Sequence, residues 1–211
     1  MCSRVFYVME YDWQKFDLPP FVIGTFNHAD FEWDFNDPHS IEDIRIDRSY
    51  EFHITDPNIK SLNLDFYDPR SPIVSAAFLS VCDESGVQYR SVPLKVSFSG
   101  TPGSTAEFFL FLPFQSTSLL NRELSEYQED RVVETGEVMM DKSFPGQPVY
   151  SWIRRFVTEP VSLNLFHCIE LMQLVVSERF VSISRSRGIK GVGFVPIDAG
   201  YRYDPWGEIP A

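Results

Sequence analysis

The side chains best suited to nucleophilic or zinc chemistry are few in this sequence, and their spacing favours neither. The 211 residues include three cysteines, an odd number with no CxxC pair, which argues against a disulfide framework and against a zinc site. His167 and Cys168 are adjacent, and neighbours on a strand point to opposite faces, so they cannot form the hydrogen-bonded pair that activates a thiolate. We predict a core cysteine beside a hydrogen-bonded histidine.

Carboxylates are abundant, but no pair of them is marked out for catalysis or metal binding. His28 and His39 lie in a stretch of alternating acids and aromatics that lacks the DxDxDG register of a calcium loop. Gly188, Gly191 and Gly193 follow a predicted helix, whereas a phosphate-binding loop opens one. We therefore predict no catalytic residue, no cofactor and no metal. A small hydrolase that uses clustered carboxylates is the alternative.

Two acidic stretches offer a surface for a protein partner. Interface hot spots favour aromatic anchors, and surrounding carboxylates steer a basic partner toward them. The candidate binding residues of the first stretch are Asp30, Phe31, Glu32, Trp33, Asp34, Phe35, Asp37, Glu42, Asp43 and Asp47. The second stretch contributes Glu126, Glu129 and Asp130. The alternative for both stretches is a solvated loop whose aromatic side chains pack into the core.

The net charge of −12 restricts the class of partner. It repels nucleic acid and anionic membranes and favours fast association with a basic protein. No apolar run approaches the roughly 20 residues of a membrane-spanning helix. Glu10 and Asp12 interrupt the apolar region that a signal peptide needs, so we expect a cytoplasmic protein. From the net charge we expect that it binds neither nucleic acid nor membranes.

The hydrophobic patterning predicts an α+β domain with a mainly antiparallel or mixed sheet and a few flanking helices. Strands are expected at residues 5–9, 50–54, 62–66, 88–98, 107–112, 138–140 and 152–157, and from Phe194 to Ile197. A helix is expected from Ser71 or Ser75 to about Glu84, and a second from Ser177 to about Arg187. Residues 118–127 are expected to form a helical turn or two, and 99–105 an internal boundary.

An internal similarity suggests that the single domain, residues 1–211, was built from two related halves, 1–100 and 101–211. Two segments share the spacing of a Val-Ser pair, a phenylalanine and a glycine. They are Val74-Ser75, Phe78 and Gly86 in the first half, and Val176-Ser177, Phe180 and Gly188 in the second. The segment 6–9 aligns in phase with 108–111. Coincidence between two ordinary helix-glycine-strand units is the alternative.

The C-terminal part of the chain resembles the "immunity protein eleven" family of bacterial polymorphic-toxin systems. The segments that carry the resemblance are Val176-Ser177-Glu178-Arg179-Phe180 and Gly188-Ile189-Lys190-Gly191-Val192-Gly193-Phe194-Val195-Pro196, with weaker matches at 121–127 and at Leu165-Phe166. The resemblance covers the second half well and the first half through Val74-Ser75 to Pro93. It implies a protein that neutralises a toxin, with no catalytic residues to carry over.

We therefore expect an immunity protein that binds a cognate antibacterial toxin and occludes its active site. The net charge favours a basic toxin, such as a nuclease, whose phosphate-binding groups the carboxylates would meet. A small hydrolase and an adaptor module without a toxin are the alternatives.

Overall fold

The fold combines strands and helices, as the patterning predicted. A computed structural model describes residues 4–34, 41, 44–67, 72–103, 105–207 and 209. Its mostly antiparallel and mixed sheets and its helices confirm the α+β class. The described strands are β1 (Phe6–Tyr11), β2 (Gly24–Phe26), β3 (Tyr50–Ile54), β4 (Phe66–Tyr67), β5 (Ile73–Val74), β6 (Tyr89–Phe98), β7 (Thr105–Pro113), β8 (Ser116–Thr117), β9 (Glu126–Glu129), β10 (Tyr150–Arg155), β11 (Leu165–Cys168), β12 (Gln173–Ser177) and β13 (Val192–Pro196). The described helices are α1 (Ala76–Ser85) and α2 (Glu178–Ser186).

Six strands form one sheet in the order β2-β3-β6-β7-β5-β4. β3 runs parallel to β6, and the other neighbouring strands are antiparallel. β3 alternates buried and exposed residues along its whole length, as the predicted strand at 50–54 requires. Inward-facing side chains such as Tyr50, Leu94 and Leu110 join one apolar core.

A second sheet has five strands in the order β13-β1-β12-β11-β8. β12 is antiparallel to both β1 and β11, whereas β11 is parallel to β8. A separate antiparallel pair consists of β9 and β10. Phe6, Phe166 and Val175 are buried in the apolar cluster that includes residues of this sheet.

The chain divides into two compact units, and neither is continuous in sequence. Unit 1 comprises Met1–Met9, Gln115–Glu178 and Phe194–Ala211, and unit 2 comprises Glu10–Phe114 and Arg179–Gly193. The connector after Phe98 links β6 to β7, two strands that pair within unit 2. The compact units therefore do not divide at 99–105, where the sequence placed an internal boundary.

Both helices begin and end where their capping residues predicted. The hydroxyl of Ser75 accepts a hydrogen bond from the Phe78 N–H at 3.2 Å, so Ser75 is the N-cap of α1. Gly86 ends α1 with a φ of 73°, and Gly188 follows α2 with a φ of 66°. Glycine occupies this left-handed region without the steric cost of a Cβ atom. Neither helix, nor any other in the described residues, has the length and apolarity to cross a membrane.

Matching hydrogen bonds surround the serine that precedes each helix. Ser75 donates through its N–H to the Asp65 carbonyl at 3.0 Å and through its hydroxyl to Asp65 Oδ1 at 2.6 Å. Ser177 donates in the same two ways to Asn164, at 3.0 and 2.7 Å. Asp65 directly precedes β4 and Asn164 directly precedes β11. The two serines therefore hold equivalent places in two strand-strand-helix units.

The register of the sheets extends this correspondence. Val74 lies opposite Phe109, and Val176 lies opposite Tyr7, which are the positions that the sequence similarity aligned. The strand order β6-β7-β5-β4 in one sheet matches β13-β1-β12-β11 in the other. In this alignment, β1 of the first half pairs with β12, which precedes α2 in the second half. Likewise, β7 of the second half pairs with β5, which precedes α1 in the first half. These correspondences favour an internal duplication, which stays a prediction.

Several local predictions differ from the observed elements. Residues 118–127 divide into two parts. The Ser125 N–H bonds to the Asn121 carbonyl at 3.0 Å in one turn, as predicted, whereas Glu126–Glu129 pair as β9 with β10 and bring Tyr127 and Tyr150 edge to face. Residues 138–140 contribute isolated bridges at Val138 and Met140 in place of a strand. Of the strand predicted at 62–66, only Phe66 belongs to a strand, β4. Residues 62–65 lie in the loop that precedes it.

Candidate partner-binding surface

The first acidic stretch presents three of its predicted carboxylates to solvent. Asp30, Asp34 and Asp47 are exposed residues of unit 2. Asp47 Oδ1 accepts a hydrogen bond from Arg45 Nε at 2.8 Å, and both side chains are largely solvated. Such an exposed pair contributes little to stability and leaves the carboxylate accessible. Phe35, Asp37, Glu42 and Asp43 lie outside the described residues.

The two described aromatic residues of this stretch, Phe31 and Trp33, pack toward the core. Trp33 is 6% exposed, and the half-buried Phe31 stacks on Tyr50 with ring centroids 5.4 Å apart. Phe31 also meets Phe26 edge to face at 5.1 Å. A side chain as buried as Trp33 offers almost no area to a partner. Their predicted role in partner binding stays a prediction, and their position is that of the alternative, aromatic side chains that pack into the core.

Glu32 holds the stretch in place. Its carboxylate accepts hydrogen bonds from the N–H groups of Asp47 and Arg48 at 3.2 and 3.1 Å, and from the Tyr50 hydroxyl at 3.3 Å. Burial alone raises the pKa of this carboxyl group, but these hydrogen bonds and the charge of Arg48 outweigh burial, and the net pKa is lowered. Glu32 therefore stays ionised and joins two loop segments of unit 2.

The second acidic stretch, in unit 1, is partly neutralised by its own cations. Glu126 pairs with Arg154 at 3.2 Å, and Glu129 pairs with Arg122. Asp130 Oδ1 accepts the Arg131 N–H at 2.8 Å. β9 and β10 position Glu126 and Arg154 on one ribbon, and Glu129 of β9 meets Arg122 from the turn that precedes this strand. Because both glutamates already face an arginine, part of the negative charge of this stretch is compensated within unit 1.

His167 and Cys168, neighbours on β11, make separate contacts. Cys168 is fully buried on β11, and its thiol donates to Glu170 Oε2 at 3.1 Å. Burial and the neighbouring Glu170 charge raise the pKa of this thiol, so the reactive thiolate is suppressed. His167 stacks on Phe144, and burial lowers its pKa. The ring also hydrogen-bonds the Met172 backbone, in line with the predicted hydrogen-bonded histidine, while Nδ1 has no partner among the described residues.

A groove of about 840 Å³ lies along β3, β6 and β7 in unit 2. Its lining mixes charges of both signs, with Arg48, Arg90 and Lys95 beside Glu51 and Glu107. Lys95 Nζ pairs with Glu51 Oε1 at 3.0 Å. This balanced lining singles out no acid-base pair, and the described residues contain no group of three acidic, histidine or cysteine side chains that could hold a metal ion.

No model of a known protein family matches the chain, and no curated protein matches it either. The resemblance to the immunity family therefore stays a prediction based on the segments quoted above. The roles assigned to the acidic residues stay predictions as well.

Two exposed apolar residues escaped the sequence analysis. Phe21 and Ile23 lie just before β2 in unit 2 and are exposed, whereas Val22 between them is buried. The signal was present in the alternation after Pro19-Pro20, because an extended segment turns every second side chain to the same side. The alternation does not indicate which of the two sides the rest of the fold covers.

Proposed function

We propose that the chain is an immunity protein that binds a cognate antibacterial toxin and blocks its active site. The observation that carries the proposal is the solvent exposure of Asp30, Asp34 and Asp47 on a chain of net charge −12. Exposed carboxylates attract a basic partner and accelerate its association. The C-terminal resemblance to the immunity family supports the same class.

The proposed mode of inhibition is occlusion. A toxin that cleaves nucleic acid needs a basic cleft for the phosphate backbone, and carboxylates spaced along a surface can occupy that cleft in place of phosphates. The protein itself needs no catalytic group for this role. We place the encounter in the cytoplasm of the producing cell, where an arriving toxin would act.

Growth rescue tests the proposal. The chain is co-expressed with the toxin candidate encoded in the adjacent reading frame, and we expect it to restore growth that the toxin alone abolishes. The variant Asp30→Asn with Asp34→Asn and Asp47→Asn should bind the purified toxin at least about 10-fold more weakly, because it loses three attractive charges.

A charge-matched variant is the control for this experiment. Glu107→Gln, Glu178→Gln and Asp198→Asn remove the same charge from exposed positions elsewhere. We expect this variant to bind within about threefold of the wild type, since the charges that it removes lie outside the predicted stretch. Equal losses for the two variants would show that net charge acts without a defined surface. A failure of the wild-type chain to rescue growth would contradict the immunity role for that toxin.

A further inference from the structure

Phe21 and Ile23 form an apolar pair that the fold exposes at the start of β2. The exposed fractions of their side chains are 75% and 64%. Monomeric proteins expose single apolar residues commonly, but two large neighbouring ones on the same side are less expected. Val22 between them is 6% exposed and belongs to the core of unit 2, so the alternation fixes which two side chains face outward.

The backbone that carries this pair is held by hydrogen bonds from separate parts of unit 2. The Ile23 carbonyl accepts bonds from the N–H and the hydroxyl of Thr55, at 3.0 and 3.3 Å. The Tyr67 hydroxyl accepts the Val22 N–H at 3.0 Å. The segment is therefore ordered before any partner arrives, and a preordered contact loses little conformational entropy on binding.

Gly24 ties the same segment to the core. A Cβ atom at this position would lie 2.5 Å from Cζ of Phe52 and 2.7 Å from the His53 carbonyl oxygen. The absence of a side chain lets β2 approach β3 closely. Within the described strands, β2 is one of the two edges of the six-stranded sheet.

The charge of the segments that flank the pair in sequence indicates the kind of partner that would cover it. Residues 10–34 contain six acidic residues and one basic residue, Lys15. Asp17 and Asp30, on either side of the pair in sequence, are both exposed. A second copy of the chain, also at −12, would be repelled from this region. A basic protein would gain from the charge as well as from the apolar contact.

We infer that Phe21 and Ile23 are the apolar anchors through which the chain holds a basic protein partner. The inference rests on the proposed immunity function and assigns to this pair the anchoring role that Phe31 and Trp33, being turned to the core, do not fill. The partner contributes an apolar pocket bordered by lysine or arginine side chains.

Site-specific photo-crosslinking in cells of the producing organism tests the location of the contact. The photoreactive residue p-benzoylphenylalanine is placed at position 21 and, in a separate control, at position 133. Val133 in unit 1 is 95% exposed and is likewise apolar. We expect position 21 to form an adduct with a basic protein, identified by mass spectrometry, and position 133 to form none with it.

The affinity of the purified adduct partner for variants of the chain tests the energetics. Phe21→Thr combined with Ile23→Thr removes the apolar contact and keeps the charge, so binding should weaken about 10- to 100-fold. Val133→Thr is the matched control and should change affinity less than about threefold. Thermal unfolding of each variant should stay close to the wild type, since all three side chains are exposed.

The outcomes separate this inference from the proposed function. An adduct of twice the chain mass, no adduct at position 21, or an unchanged affinity of the double variant would overturn the anchor assignment. A toxin that binds equally well to the double variant would leave the immunity function intact and overturn the anchors. A basic partner that needs both anchors but has no toxic activity would support the anchors and contradict the immunity function.

Discussion

Glu32 illustrates how an acidic residue in a candidate binding stretch can serve the fold. Its carboxylate accepts hydrogen bonds from Asp47, Arg48 and Tyr50, whereas the nearby Asp30 and Asp34 are exposed. The three acids are of similar chemical type and lie in one short segment. The Glu32 carboxylate meets the N–H groups of Asp47 and Arg48, whereas Asp30 meets the Arg48 side chain through its backbone carbonyl.

The lowered pKa of Glu32 predicts a dependence of stability on pH. Because the folded state holds the pKa below the ordinary value of 4.5, its contribution is fully present above that value and is lost as pH falls through the lowered pKa. Urea unfolding between about pH 5 and pH 3 should show a smaller loss for Glu32→Gln than for the wild type. The control Ser80→Ala, which removes no carboxyl group, should retain the wild-type loss. An identical profile for Glu32→Gln would show that these hydrogen bonds do not favour the ionised form.

At the level of elements, α1 depends on the serine that precedes it. Ser75 caps the helix through its bond to the Phe78 N–H and also joins it to Asp65 before β4. Ser75→Ala should lower the free energy of unfolding by about 1–2 kcal/mol, because a cap and a second hydrogen bond are lost together.

Ser80→Ala in the same helix is the control for this prediction. The Ser80 hydroxyl bonds to the Ala76 carbonyl at 3.0 Å, four residues earlier, and makes no cap. Its replacement should change the free energy of unfolding by less than about 0.5 kcal/mol, since alanine is the better helix former. Comparable losses for the two variants, measured by urea unfolding, would mean that capping does not stabilise α1.

At the level of the whole molecule, the net charge of −12 predicts how the proposed partner is bound. The association rate with a basic toxin should fall at least about 10-fold between 0.05 and 0.5 M salt, because screening shortens the range of the attraction. The dissociation rate should change far less. Stopped-flow association measures both rates, and the Asp30→Asn, Asp34→Asn, Asp47→Asn variant should show a shallower salt slope. A salt-independent association rate would contradict electrostatic steering.

The sequence by itself determined the elements that depend on interactions among neighbouring residues in the chain. The alternation in β3, the cap at Ser75 and the glycines after both helices predicted strand and helix positions that the structure confirms. These features depend on the conformational preferences of a few adjacent residues, so the sequence contains the information needed to predict them. The helical turn predicted at 118–127 ends earlier than expected, because β10 pairs with Glu126 and Tyr127 and these two residues belong to β9.

Tertiary structure decided which side chains of each stretch are available to a partner. Phe31 and Trp33 are turned inward by contacts with Tyr50, a residue distant in sequence, whereas the equally apolar Phe21 is left exposed. Glu126 is neutralised by Arg154 from the neighbouring strand. Exposure and charge pairing are properties of what packs against a residue, and those neighbours come from distant parts of the chain. For this reason the sequence predicted the elements of the fold, and the candidate surface emerged from their packing.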